Sequence, residues 1–169
     1  MKTLLLMRHA KAAAAISSLA DFDRPLTDEG RRAAELIGEL ILRRKVMTDL
    51  ALSSPALRAR ETIDIVMKAA RLHPELRYDQ RIYEAGPLGL LEVIHEIEED
   101  RNRVLLVGHN PGIEELLEML IGRVEHLATG TLAKIDFEAN KWSEAGGRKG
   151  NLDWLVQPKE LPTIDDAGG

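Results

Sequence analysis

Residues 3–9 read TLLLMRH, and residues 104–109 read VLLVGH. Each stretch is a short apolar run of the kind that forms a buried strand in a parallel sheet, and each ends on a histidine. In an open parallel sheet, the residues that follow the carboxyl ends of neighbouring strands line one crevice. We therefore predict that His9 and His109 lie close together at one edge of a sheet, although they are far apart in sequence.

Strand-like segments alternate with amphipathic helical patterns along the rest of the chain. Thr27 has the features of an N-cap for the first helix, and Ser54 those of an N-cap for the second, with Pro55 at its first helical position. A later helix carries Ile97, and Pro111 is expected to open the next one. The predicted strands are residues 3–7, 49–52, 76–78, 104–107, 132–137 and 151–156, of which the last two form a hairpin at the sheet edge.

The fold class predicted from this alternation is α/β, a three-layer α/β/α sandwich with a mainly parallel sheet and an antiparallel edge strand. A chain of 169 residues, 44% of them hydrophobic, has the size of one ordinary domain. Because no linker or internal repeat divides the chain, we expect a single domain over residues 1–157. Residues 158–169 are expected to form a flexible C-terminal tail.

Composition excludes several classes of function. The net charge of -5 gives no basic face for a phosphate backbone, so nucleic acid is not an expected partner. No stretch approaches the ~20 apolar residues of a membrane span, and no membrane partner is expected. The chain has no cysteine, which excludes disulfides and thiolate metal sites and suits a cytoplasmic protein. The sequence contains neither a Gly-x-x-x-x-Gly-Lys phosphate-binding loop nor a Gly-x-Gly-x-x-Gly dinucleotide-binding motif, so no nucleotide cofactor is expected.

Four polar segments leave the same predicted sheet edge: Arg8-His9, residues 53–58, Glu84 and residues 108–111. His9 suits the role of a nucleophile, because imidazole is largely neutral near pH 7 and nearby cations would lower its pKa further. Arg58 would lie in the first turn of its helix, where free N–H groups favour an anion. Arg8, Arg58 and His109, which we call the phosphoryl clamp, could bind a transferring phosphoryl group without a metal or another cofactor. Transfer to His9 would give a phosphohistidine that water then hydrolyses.

These motifs resemble those of the histidine phosphatase superfamily, which has the phosphoglycerate-mutase-like fold. The resemblance rests on MRHAKA at residues 7–12, RPLT at 24–27 with Gly30, SSP at 53–55 with Arg58 and Thr62, and GHNP at 108–111. The short length and the RHAKA form are most similar to the small SixA-type branch of protein-histidine phosphatases. One departure is Ala10, where the wider superfamily has glycine, which leaves the turn after His9 less permissive.

The resemblance implies a role for each matching residue. His9 would be the phosphorylated nucleophile, and the phosphoryl clamp would bind the phosphoryl group. Glu84 stands near the position of the acidic proton donor of larger members. Two simpler interpretations stay open. Arg24 could simply form an ion pair with Asp21 or Asp23, and Glu84 could be an exposed loop carboxylate. The residues expected to contact the substrate or support its pocket are Arg24, Asn110 and Ser54.

The expected function is that of a metal-independent phosphatase that acts through a phosphohistidine intermediate. Its substrate would be phosphohistidine in proteins or a small phosphoester, so the expected partner is a phosphorylated protein or a small phosphorylated metabolite. A phosphoglycerate-mutase-type phosphotransferase and a non-catalytic phosphate-binding module are the alternatives. The short chain leaves little to enclose a substrate, which favours hydrolysis over transfer. The intact nucleophile and clamp argue against a binding module.

Overall fold

The computed structural model describes residues 1–163 as an alternation of strands and helices. Within these residues the strands are β1 (Lys2–Arg8), β2 (Leu50–Ser53), β3 (Glu75–Tyr78), β4 (Arg103–Gly108), β5 (Leu132–Phe137) and β6 (Asn151–Val156). The α-helices are α1 (Asp28–Arg43), α2 (Leu57–Ala70), α3 (Pro87–His95) and α4 (Gly112–Ile121). Short 3-10 helices lie in the connecting segments at Asp21–Asp23, Gln80–Ile82, Trp142–Glu144 and Pro158–Glu160.

The strands form one sheet in the order β3-β2-β4-β1-β5-β6. Strands β3, β2, β4 and β1 are parallel, whereas β5 is antiparallel to both β1 and β6. The predicted fold class, α/β with a mainly parallel sheet and an antiparallel hairpin at its edge, is confirmed. Arg8 of β1 pairs with Gly108 of β4, so His9 and His109 leave neighbouring strands at the same level.

The core lies on both faces of the sheet, because alternate residues of a strand point to opposite sides. Leu4 and Leu6 of β1 pack into one buried cluster, together with apolar residues of α3 and α4. Leu5 and Met7 pack into a second cluster, together with residues of α1 and α2. Two helices therefore cover each face in a three-layer arrangement. Polar side chains, His9 after β1 and His109 after β4, follow the carboxyl ends of these two buried strands.

The start of α2 differs from the sequence prediction. The prediction that Ser54 caps this helix and that Pro55 begins it is wrong, because the helix begins at Leu57 and its N-cap residue, Ala56, has no side-chain cap bond. The Ser54 hydroxyl instead accepts a hydrogen bond from the backbone N–H of Ala56 and contacts His109. A contact to a distant strand end thus replaces the local cap that the sequence suggests.

The other helix ends are closer to prediction. Thr27 is the N-cap of α1, and its hydroxyl accepts a hydrogen bond from the backbone N–H of Gly30. Pro111 directly precedes α4 as its N-cap residue. The helix predicted to carry Ile97 ends at His95, although Ile97 itself is buried. Among residues 1–163, none of the helices is long and apolar enough to cross a membrane.

The segment after β6, where the sequence predicts a flexible tail over residues 158–169, begins with a short helical turn. Pro158–Glu160 forms a 3-10 helix, and the side chain of Glu160 accepts a hydrogen bond from the backbone N–H of Gln157. Leu161 packs against the cluster that α1 and α2 form with the sheet. This apolar contact accounts for the order of residues 158–161. The remainder of the predicted tail, residues 164–169, lies outside the described residues.

Candidate active site

The two histidines predicted to share one edge of the sheet do so. Their ring centroids are 5.0 Å apart, and the backbone N–H of His9 donates a hydrogen bond of 3.0 Å to the carbonyl of Gly108. The parallel pairing of β1 with β4 is sufficient to produce this proximity, because it aligns the two strand ends. The candidate site therefore lies at the carboxyl ends of two adjacent central strands.

His9 is held with one ring nitrogen occupied and the other free. Its Nδ1 lies 2.7 Å from the carbonyl oxygen of Ala10, which can only accept, so Nδ1 carries the hydrogen and Nε2 carries the lone pair. The residue is 8% exposed. Burial is the main cause that lowers the pKa of His9 to about 4, and the charges of Arg58, Arg8 and Arg24 lower it further, while the bond to Ala10 acts in the opposite direction. His9 is thus a neutral base at pH 7, with Nε2 available to attack.

His109 is oriented by Ser54. Its Nε2 lies 2.7 Å from the Ser54 hydroxyl oxygen, which also accepts a hydrogen bond from Ala56 N–H. When the Ser54 hydroxyl donates to Nε2, Nδ1 carries the ring hydrogen and is free to donate. Burial, followed by the influence of His9 and the charge of Arg58, lowers the pKa of His109 to about 3. Ser54 itself is fully buried, which places it behind His109 rather than on the surface of the site.

The two arginines of the phosphoryl clamp are fixed through their terminal nitrogens. Arg58 donates from one terminal nitrogen to the carbonyl oxygen of Asp21 at 2.7 Å and from the other to the Asp21 carboxylate at 3.0 Å. Arg8 donates to the carbonyl oxygen of Leu127 at 3.0 Å. Both guanidinium groups influence the pKa of His9, which places their positive charges close to its ring.

Each member of the phosphoryl clamp has a buried nitrogen that lacks a partner. Nε of Arg8, Nε of Arg58 and Nδ1 of His109 make no hydrogen bond to any of residues 1–163. A buried donor left unpaired costs on the order of 1–3 kcal/mol, so such groups are normally satisfied by a ligand or by water. The two arginine Nε atoms, and Nδ1 of His109 in the tautomer that carries the hydrogen there, are donors of the kind that an oxyanion accepts from. The arrangement can therefore bind a phosphoryl group beside the free Nε2 of His9.

Comparison with known proteins agrees with this geometry. The sequence profile of the histidine phosphatase superfamily, branch 1, matches residues 4–89. The chain belongs to the histidine phosphatase superfamily. It is 35% identical over 114 residues to the uncharacterized protein Rv1276c of Mycobacterium tuberculosis, a match that covers 68% of this chain and 69% of the relative. It is 26% identical over 162 residues to phosphohistidine phosphatase SixA of Escherichia coli, covering 94% and 95% of the two chains.

The fold of this chain also matches a solved structure over nearly its whole length. A crystal structure from Agrobacterium tumefaciens, provisionally named phosphohistidine phosphatase SixA, superimposes with a TM-score of 0.81 at 32% sequence identity. The match covers 93% of this chain and 98% of that chain. The phosphoglycerate-mutase-like fold expected from the motifs is thereby confirmed, and SixA proteins are among the relatives of this chain.

Glu84, the candidate proton donor, makes no hydrogen bond to either site histidine, although its charge contributes to raising the pKa of Tyr83. It is an exposed residue with a positive φ of 56° in the segment before α3. Its carboxylate makes no hydrogen bond or ion pair with any other described residue, and it is not among the charges that shift the pKa of His9 or His109. The interpretation of Glu84 as an exposed loop carboxylate is the one that the structure favours.

Arg24 and Asn110 support the site through their neighbours. Arg24 pairs with Asp21 rather than with Asp23, because its Nε and a terminal nitrogen lie 3.0 and 2.9 Å from one Asp21 oxygen. Its charge nevertheless lowers the pKa of both site histidines. Asn110 donates to the carboxylate of Glu114 at 3.0 Å and to the Leu127 carbonyl, the same oxygen that Arg8 binds.

Sequence reasoning missed Asp21 and Tyr83 as parts of this candidate site. The Tyr83 ring lies edge-on to His109 with centroids 5.6 Å apart, and its hydroxyl donates a hydrogen bond of 2.7 Å to Asp21. The three-residue spacing of Asp21 and Arg24 was a usable signal for their pairing. Nothing in the sequence near Tyr83 indicates its contact with a turn 62 residues earlier. Within residues 1–163, no group of three or more His, Cys, Asp or Glu residues is arranged to hold a metal ion.

Proposed function

We propose that this protein is a phosphatase that uses His9 as its nucleophile and that its preferred substrate is a phosphohistidine side chain of another protein. The observation that carries the proposal is the state of His9, a buried neutral imidazole whose Nδ1 is bound to Ala10 and whose Nε2 is free beside three cations. Imidazole in this state is a competent nucleophile toward phosphorus. Small phosphoesters with good leaving groups are the second class of substrate.

The reaction would proceed in two displacements. In the first, Nε2 of His9 forms a bond to phosphorus while the bond to the leaving group breaks and its electron pair stays on the leaving atom. In the second, water attacks phosphorus, the bond to Nε2 breaks, and phosphate leaves as the His9 lone pair is restored. The phosphoryl clamp would stabilise the charge on the equatorial oxygens in both steps, so the arginines supply the charge stabilisation that this chemistry needs.

The substrate class follows from the protonation state of the carboxylates near the site. Glu84 contacts neither histidine, and the bond from Tyr83 together with the two arginines lowers the pKa of Asp21 to about 2, so that Asp21 is ionised at pH 7. Asp21 is therefore not protonated to assist a poor leaving group, and Glu84 makes no hydrogen bond to either histidine. A phosphorylated imidazole protonated on its second nitrogen leaves as a neutral ring and needs no such donor. Aryl phosphates share this advantage, whereas alkyl phosphates do not.

The relatives support the same substrate. The Escherichia coli protein to which this chain is 26% identical is named a phosphohistidine phosphatase. A phosphohistidine on a folded protein also requires a site that a protein surface can reach. The residues of this site follow the carboxyl ends of β1 and β4, where connecting loops begin.

The test compares three substrates in the presence of a metal chelator: a phosphohistidine protein, p-nitrophenyl phosphate and glycerol phosphate. Because general acid catalysis typically contributes on the order of 100-fold or more, kcat/KM for glycerol phosphate is expected to be lower than for the other two by at least about 100-fold. His9→Ala is expected to abolish turnover. The matched control is His73→Ala, which removes an exposed imidazole outside the site and is expected to keep full activity.

Three outcomes would contradict the proposal. Full activity of His9→Ala would remove the mechanism. Efficient hydrolysis of glycerol phosphate, lost on Glu84→Gln, would restore Glu84 as a proton donor and remove the argument for phosphohistidine. Binding of phosphate without turnover of any substrate would leave a phosphate-binding module. Mass spectrometry after brief exposure to substrate, under alkaline quench, is expected to find one acid-labile phosphoryl group on His9.

A further inference from the structure

The carboxylate of Asp21 joins three side chains of the candidate site. One carboxylate oxygen accepts from Arg58 at 3.0 Å and from the Tyr83 hydroxyl at 2.7 Å, and the other accepts from Nε of Arg24 at 3.0 Å. The backbone carbonyl of Asp21 accepts a further bond of 2.7 Å from Arg58. The 3-10 helix Asp21–Asp23 therefore binds two of the arginines whose charges act on His9.

The two bonds from Arg58 to Asp21 fix the plane of its guanidinium group. They use only the terminal nitrogens, and they leave Nε buried without a partner among the residues that the structure describes. The Arg58 side chain is 7% exposed, so this nitrogen cannot be satisfied by bulk water. Fixing a long side chain costs rotamer entropy, and here that cost is met before any substrate is bound. Donors arranged in advance in this way are what stabilises a developing charge most strongly.

The charge of Asp21 also offsets the repulsion between the two arginines. Arg24 and Arg58 carry like charges and meet at one carboxylate, which the Tyr83 bond, and then the two arginines, keep ionised by lowering its pKa to about 2. Two guanidinium groups brought together without a carboxylate between them would separate or rotate toward solvent. Asp21 acts on the site through these side chains rather than through the substrate.

We propose that Asp21 is a positioning residue, which holds Arg58 and Arg24 together so that Arg58 presents Nε to a bound phosphoryl group. This inference rests on the proposed function only in requiring that the site binds a phosphoryl group. The opposite interpretation is that Asp21 competes with the phosphoryl group for the arginines. The two make opposite predictions for a variant without the charge, because loss of a positioning residue weakens oxyanion binding and loss of a competitor strengthens it.

The test measures binding of inorganic phosphate by calorimetry, which needs no turnover. Asp21→Asn keeps the size of the side chain and removes its charge, and it is expected to weaken phosphate binding by about 10-fold or more. The matched control is Asp23→Asn in the same turn, because the Asp23 carboxylate makes no hydrogen bond or ion pair with residues 1–163, and it is expected to bind phosphate as the wild type does. Equal or tighter binding by Asp21→Asn would overturn the inference, whereas a wild type that binds no phosphate would overturn the proposed function itself.

Two further measurements separate positioning from a general loss of structure. Asp21→Glu keeps the negative charge on a side chain that is longer by one methylene group, so this variant is expected to bind phosphate more tightly than Asp21→Asn. Equal weakening in both variants would overturn the electrostatic argument.

The hydrogen bond to Asp21 is the main cause that raises the pKa of Tyr83, and the chain has only two tyrosines. Ultraviolet titration of Asp21→Asn is therefore expected to find a lower tyrosine pKa than in the wild type, and an unchanged titration would show that the contact does not exist in solution.

Discussion

Lowering the pH should destabilise this protein through His9 in a way that can be isolated with one substitution. In the folded protein, burial and then the charges of Arg58, Arg8 and Arg24 lower the pKa of His9 to about 4, from an ordinary value of 6.5. Between these two pH values the unfolded chain binds a proton at this position and the folded chain does not. Proton binding at this position therefore favours the unfolded chain below pH 6.5. The free energy of unfolding is unaffected by it above pH 6.5 and falls as the pH is lowered toward 4.

The size of the effect follows from the interval between the two pKa values. Each pH unit within it corresponds to about 1.4 kcal/mol, so the whole interval from 6.5 to 4 corresponds to a loss of about 3 kcal/mol in the free energy of unfolding. His109, with a pKa lowered to about 3, acts in the same direction. A comparison with His9→Gln removes the contribution of His9 alone and leaves the other titrating groups in place.

Urea unfolding measured at several pH values between 7 and 4 would test this expectation. The wild type is expected to lose about 3 kcal/mol more than His9→Gln across this range. His73→Gln, which removes an exposed imidazole, is expected to follow the wild type. Parallel curves for the wild type and His9→Gln would refute the reasoning, because they would mean that His9 is not held neutral in the folded protein.

Two other substitutions test the contacts that support the site. Gly30→Ala is expected to destabilise the protein by about 1–3 kcal/mol, because a Cβ there would overlap the backbone carbonyl of Lys11. Thermal unfolding measures this loss, and Gly86→Ala is the control because a Cβ at that position contacts no other atom. Equal melting temperatures would contradict this. Glu114→Ala is expected to lower kcat/KM for an aryl phosphate by about 10-fold, since Glu114 fixes the loop that binds Arg8, while Glu115→Ala is expected to have no effect. A fully active Glu114→Ala would show that Arg8 needs no such support.

Local patterns were sufficient for the elements of the fold. The strands were predicted within one residue of their observed ends, because apolar runs bounded by polar turns are legible in short windows. Thr27 was predicted as a cap because its bond to Gly30 is made within one turn. The prediction failed at Ser54, where the hydroxyl binds His109, 55 residues away. The residues next to Ser54 in sequence give no sign of His109, which binds the hydroxyl that would otherwise cap the helix.

The sequence by itself determined that Arg8-His9 and His109 would follow two buried strands and meet, since parallel pairing aligns strand ends and apolar periodicity is a local property. Only the tertiary structure decided which charges surround them. It paired Arg24 with Asp21 rather than with Asp23, and it left Glu84 exposed without a hydrogen bond to either histidine. The physical reason is that an ion pair depends on the positions of charged atoms to within a few ångströms, and those positions are set by loops that converge only when the sheet has formed.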